Sequence, residues 1–177
     1  MSYDFSFPTN AELQDDGPRS YEQELFEGVP YLFRLVEVSD EPRTIGNMET
    51  RSFRFSALNT EHEEVCRFYT NLRMPSNYDH MPSDKHWMIH NDVRVIQELA
   101  KARCLAKHLE QSFVLDDLHD LEGYMIRGSI KARSYTNKSG GTSWGYSITY
   151  PKAYSERDRL EEFAAAKAAL ENDDIPF

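Results

Sequence analysis

Hydrophobic and polar positions change period three times along the chain. From Tyr31 to Val38 the apolar residues are nearly continuous (Tyr-Leu-Phe-Arg-Leu-Val-Glu-Val), which predicts a long, partly buried first strand. Ser39-Asp40-Glu41-Pro42 ends it, and Ile45-Gly46-Asn47 marks a turn. Thr50 to Leu58 then alternates, with Arg51, Phe53 and Phe55 on one face and Ser52, Arg54 and Ser56 on the other. Glu64 to Leu72 predicts a third strand, Cys66, Phe68 and Leu72 inward and Arg67, Tyr69 and Arg73 outward. From about Ser83 to Leu109 the period becomes helical. Ile89, Val93, Ile96, Leu99 or Ala100, and Leu105 outline one apolar face, and Asn91-Asp92 marks a place where the helix would divide in two. Gly123 to Tyr135 alternates strictly: Ile126, Gly128, Ile130 and Ala132 on one face, Arg127, Ser129, Lys131, Arg133 and Tyr135 on the other. Asn137-Lys138-Ser139-Gly140-Gly141 reads as a hairpin loop. Trp144, Tyr146, Ile148 and Tyr150 alternate on the return strand, which Pro151 is expected to end.

Three strands, a helical connection and two strands predict a mainly β fold with helices (α+β), in the chain order of a five-stranded OB-fold-like barrel with a helical connection between strands 3 and 4. This core spans 25–152. Residues 1–24 read as a polar arm, in which Tyr3, Phe5 and Phe7 alternate. Residues 153–170 read as a C-terminal helix: Ser155 and Asp158 are spaced like a capping box, and Leu160, Phe163, Ala164, Lys167 and Leu170 outline a weak apolar stripe that suits docking on the core or on a second copy of the chain. A homo-oligomer is thus left open. Residues 171–177 are an acidic tail.

Charge sharpens this picture. The net charge of −10 is unevenly placed: residues 1–28 carry −6, residues 153–177 carry −4, and the middle is neutral. The helical stretch 74–122 takes acids, so the strand-bearing segments 29–73 and 123–152 hold eleven bases against seven acids. Positive charge concentrated on strands is the footprint of an anionic polymer. No apolar run is long enough to predict a membrane span, and the first residues lack the basic and apolar regions of a signal peptide. With Cys66 and Cys104 read as free thiols, a cytoplasmic protein is expected.

The final five residues are Asp173-Asp174-Ile175-Pro176-Phe177. They suit capture by another protein. The Phe177 ring can enter an apolar pocket while its carboxylate meets a basic residue, Pro176 limits the entropy lost, and the two aspartates meet a basic rim. This ending resembles the tail of bacterial single-stranded DNA-binding proteins, in which the tip recruits replication and repair enzymes. The core more closely resembles phage-encoded single-stranded DNA-binding proteins. The resemblance implies a sequence-nonspecific single-stranded DNA-binding protein of phage replication or recombination, working in the bacterial host's cytoplasm. Partners would be the strand and the replication and repair proteins met by the tail. No catalytic residue and no cofactor is implied.

A nonspecific single-strand binder needs cations for phosphates and exposed rings for bases. Arg127, Lys131, Arg133 and Tyr135 form such a row, with alternate positions roughly 6.6 Å apart. Arg51, Arg54, Arg67, Tyr69 and Arg73 extend it. Lys138, Trp144 and Tyr146 lie at or beside the hairpin loop, where the two rings either stack on bases or pack in the core. The acidic ends can lie on the same basic face and compete with DNA. Two other readings stand beside this one. A β-barrel adaptor without DNA binding would use its tail to mimic the recruiting tip. A metal-dependent nuclease would use His80, His86 and His90 with Asp79, Asp84 or Asp92, although no known ligand spacing supports it and surface histidines are the default.

Overall fold

Six strands join in one antiparallel sheet in the computed structural model, which describes residues 17–110 and 114–155. They are β1 (Tyr31–Val38), β2 (Arg43–Ile45), β3 (Met48–Leu58), β4 (Glu64–Arg73), β5 (Met125–Thr136) and β6 (Thr142–Tyr154), and an α-helix, α1 (His86–Lys107), lies between β4 and β5. The sheet runs β2-β3-β1-β5-β6, and β4 pairs with β3. Six strands replace the expected five because Arg43–Ile45 pairs with Met48–Thr50, making a hairpin of what read as a turn. The sheet is open, not a closed barrel. β4 and β6 approach across the core, with the Phe68 and Tyr146 rings 5.7 Å apart, but form no ladder.

The core lies on the inner face. Phe33 and Leu35 of β1, Phe53 and Phe55 of β3, Phe68 and Leu72 of β4, Ile126 and Ile130 of β5, and Ile148 of β6 meet Val95, Ile96, Leu99 and Ala100 of α1. Phe33 meets both Phe55 and Phe68 edge to face. The near-continuous apolar run of β1 has a second cause: Leu32 turns to the outer face and is buried with Leu58, Tyr154 and Met125 in a separate small cluster.

The helix is unbroken where Asn91-Asp92 predicted a division, because those side chains serve the sheet instead. Asp92 Oδ2 accepts the Arg73 backbone N–H (2.9 Å) and its guanidinium (3.1 Å) on β4. Asn91 donates to the Ile148 carbonyl, and Glu98 accepts the Ala153 N–H, both on β6. α1 thus hydrogen-bonds to both strands that the open sheet leaves apart. Its buried face includes Ile89, Asp92, Val95 and Ala102, whereas Leu105, expected on the apolar stripe, is exposed. Burial holds the Asp92 carboxyl above its usual range despite the Arg73 hydrogen bonds.

Pro151 does not end β6, which continues to Tyr154, so the expected C-terminal helix does not begin at residue 153. Two residues, Tyr150 and Pro151, stand against Gly128 alone, a bulge in which the missing proline N–H breaks no ladder bond. Gly128 is required there: a Cβ would lie 2.8 Å from the Thr149 carbonyl oxygen. Tyr150 has φ +52°, a left-handed backbone costing a tyrosine about 1–2 kcal/mol.

Residues 17–27 brace the β5–β6 hairpin. Tyr21 N–H donates to the Thr142 carbonyl, Thr142 N–H to Ser20 Oγ, and Glu27 accepts the Ala132 N–H. Gly141 fits against this segment only without a side chain, since a Cβ would lie 2.1 Å from the Arg19 carbonyl oxygen. Residues 1–16 of the expected arm, most of the helix expected over 153–170, and the tail with Asp173, Asp174, Ile175, Pro176 and Phe177 lie outside the described residues. Among the described residues no helix is long and apolar enough to cross a membrane.

Candidate nucleic-acid interface

The outer face of the sheet collects the cations. Opposed residues of antiparallel strands share a face, so the ladder aligns Met125, Arg34, Ser56 and Arg67 in one row across β5, β1, β3 and β4. A second row runs Lys152, Arg127, Leu32, Leu58 and Glu64. Beyond the end of β1, β5 continues as an arm on which Lys131, Arg133 and Tyr135 face Ser147, Gly145 and Ser143 of β6. Lys131, Arg133 and Tyr135 are exposed, and Lys138 is exposed in the turn at the tip. Asn137 builds that turn: its Oδ1 accepts from the backbone of Ser139 and Gly141, and its amide donates to the Arg19 carbonyl and Ser143 Oγ.

The two ends of the face differ in charge. On β3 and β4, Arg67 is paired with Glu64, whose carboxyl is held low by the Ser56 hydroxyl and then by Arg67. Arg54 stands opposite Glu37 and lies over the Tyr69 ring, 5.2 Å from its centroid. Tyr69 is nevertheless 61% exposed. On β5 and β6, Lys131 and Arg133 pair with no described carboxylate, Arg127 lies 5.3 Å over the Tyr154 ring, and Lys152 stands opposite Arg127. Positive charge therefore weighs toward the hairpin side. A groove of about 320 Å³ beside Arg127, walled by Leu32, Asn59, Thr60 and His62, opens at the same end.

Several expected residues are used elsewhere. Arg51 lies on the Phe53 face, as its alternation required, and donates from Nε and Nη2 to the Ser39 carbonyl; it closes the end of β1. Arg73 is held by Asp92 and lines a separate cleft with His80 and Lys85 between the β2–β3 turn and residues 80–85. Tyr146 is 8% exposed, packs against Phe68, and its hydroxyl accepts the Glu24 N–H at 2.8 Å, so the ring belongs to the core. Trp144 is partly buried against that core. Arg34 and Lys152 join the face without having been expected there. Arg34 is the one cation inside the apolar run of β1 and projects from the centre of the outer face, a signal present in the sequence.

The histidines are engaged individually. His80 Nε2–H donates to the Asn47 carbonyl, His86 Nε2–H to the Met81 carbonyl, and His90 Nδ1 shares a hydrogen bond with the Tyr78 hydroxyl, whose pKa burial raises. Among the described residues no group of three or more His, Cys, Asp or Glu side chains is placed to hold a metal ion. Burial, ahead of a hydrogen bond with Glu24, pushes the Cys66 thiol up to about 12, so it is not a reactive thiolate at neutral pH. Compared with known proteins, the chain matches no family model and none of the curated proteins.

Proposed function

We propose that this protein binds single-stranded DNA without sequence preference. The observation that carries the reading is the exposed row Lys131, Arg133 and Tyr135 on a braced hairpin arm, in line with Arg127 and Lys152 and continuing to Arg34 across the sheet. Like charges on neighbouring positions repel one another, and a polyanion laid along them removes that repulsion. Strand order supports the finer fold reading: with β2 set aside, β4-β3-β1-β5-β6 and a helix between β4 and β5 follow the order of an OB fold, with α1 hydrogen-bonded to β4 and β6, the two strands whose pairing would close the barrel. In this reading the protein shields strands exposed during phage replication or recombination in the host cytoplasm, and residues 173–177 recruit replication and repair enzymes. It performs no catalysis and uses no cofactor.

The test is anisotropy of labelled oligo-dT, single- and double-stranded, at low and moderate salt, with the full chain and a variant lacking 171–177. Tight, salt-sensitive binding of the single strand alone is expected. No binding by either form would overturn the reading. The net charge of −10 favours the alternative that would then remain, an adaptor that engages replication or repair enzymes through its last residues.

A further inference from the structure

One groove of the outer face is built unlike the rest of it. Its floor is Leu32, the residue of β1 that turns outward, and in the ladder Leu32 stands between Arg127 of β5 and Leu58 of β3. Arg127 forms one wall; the β3–β4 loop, which begins after Leu58, forms the other with Thr60 and His62. Two strand spacings separate Arg127 from Leu58, about 10 Å from backbone to backbone. The space is about 320 Å³, the lower end of what small organic ligands occupy, and Pro30 adds a second apolar surface to it. The loop wall is held in shape: Asn59 Oδ1 accepts the Glu61 and Glu63 N–H groups, and His62 N–H donates to the Asn59 carbonyl. His62 takes φ +62°, a backbone that glycine or asparagine adopts with less strain. Its ring is 6.2 Å from the Tyr154 ring, and the Arg127 guanidinium lies 5.3 Å from the centre of that same ring. Tyr154 thus ties the two walls together.

The lining indicates the ligand. A phosphate alone has no use for an apolar floor, and an apolar side chain has no use for cations at its rim. Here both are present, since Lys152 stands opposite Arg127 on the same face. Among the described residues the Thr60 hydroxyl and the His62 ring nitrogens have no hydrogen-bond partner. Each of these groups can donate or accept, so neither commits the groove to one base. We propose that this groove takes one unpaired nucleobase of the bound strand, set on Leu32 and Pro30 against the His62 ring, with its phosphate held by Arg127 and Lys152. This rests on the single-strand reading above and adds to it a base-holding site at the β3–β4 loop, outside the hairpin arm.

H62G and H62N remove the ring and suit the left-handed backbone, and H62F keeps a ring. Binding of labelled oligo-dT and of an abasic oligomer of equal length is compared across these variants. Expected are a loss of about 5- to 150-fold on oligo-dT for H62G and H62N, H62F within about threefold of wild type, and no loss on the abasic strand. In the wild-type chain the His62 C2–H proton signal, assigned by its absence in H62N, should move on addition of oligo-dT, stay in place with the abasic strand, and move with dTMP only at far higher concentration. Wild-type affinity in both ringless variants, an equal loss on the abasic strand, or a His62 signal that oligo-dT leaves unmoved overturns the base-site assignment and leaves the strand-binding reading intact. Binding of dTMP as tight as that of the strand overturns it in favour of a free nucleotide. Failure of both the full chain and the variant lacking 171–177 to bind oligo-dT overturns both readings.

Discussion

Asn77 offers a quantitative test of how the β2–β3 hairpin is attached. The residue is 0% exposed. Its Oδ1 accepts the Glu49 N–H, and its amide donates to the Glu49 and Met74 carbonyls, all at 2.8 Å. In Asn77→Ala the three partners fare differently. The Glu49 carbonyl still accepts Met74 N–H, and the Met74 carbonyl still accepts Asn77 N–H, so each keeps one bond of two. The Glu49 N–H is left without its acceptor, which costs about 1–3 kcal/mol, and the two weakened carbonyls add about 0.5–1 kcal/mol each. The sum is about 2–5 kcal/mol. With a urea m-value of about 2 kcal/mol per M, the midpoint should fall by about 1–2.5 M, followed by tryptophan fluorescence. Asn77→Asp should be worse at neutral pH, since it keeps the acceptor for Glu49 but turns a second oxygen toward two carbonyls. It should recover as the pH falls and the buried acid becomes protonated. A shift under about 0.3 M for Asn77→Ala, or wild-type stability for Asn77→Asp at pH 7, would refute the assignment.

The double variant Lys131→Ala/Arg133→Ala should weaken oligo-dT binding and lower the slope of log affinity against log salt by about 1.4, at about 0.7 for each strand phosphate no longer neutralised; an unchanged slope would remove the hairpin arm from the interface. His119 links the end of β1 to the short turn of helix at 118–121, with Nδ1 2.7 Å from Glu122 and Nε2 2.9 Å from Asp40. The Glu122 hydrogen bond raises the His119 pKa above its ordinary 6.5, so its contribution is full below that value and lost as pH rises through the raised pKa. The same bond lowers Glu122 below 4.5, so its contribution is full above that value and lost as pH falls through the lowered pKa. The stability difference between wild type and His119→Gln should therefore be largest between about pH 4.5 and 6.5 and shrink by pH 8.5; equal differences at pH 5.5 and 8.5 in urea titrations would contradict this.

Strict alternation is the most readable feature of the chain. It places Arg127, Lys131, Arg133 and Tyr135 together on a face opposite Ile126 and Ile130, and the ladder has that arrangement. The same logic holds the answer for two residues expected at the interface. Arg51 alternates with Phe53 and Phe55, and Tyr146 with Ile148, so both belong to the core side by pattern alone. Pro151 misleads because a proline ends a strand only where its N–H is needed, and at a bulge it is not. Asn91 and Asp92 mislead because capping residues within a helix can also satisfy backbone groups of another element, and sequence spacing does not say which. Asn77 gives no signal at all: its partners, Glu49 and Met74, are joined to it by the fold rather than by any local pattern.

The hydrogen bonds of α1 to β4 and β6 bear on how copies of this protein behave when crowded. An open sheet offers rows of unpaired backbone groups on which a strand from another molecule can assemble. Here Asp92 occupies the Arg73 N–H, Asn91 the Ile148 carbonyl and Glu98 the Ala153 N–H. The bulge at Pro151 interrupts β6 with a residue that has no donor to offer. A newcomer strand would find those three groups on β4 and β6 already taken. Loosening α1 would free these groups for pairing with another chain, so it threatens solubility as well as stability.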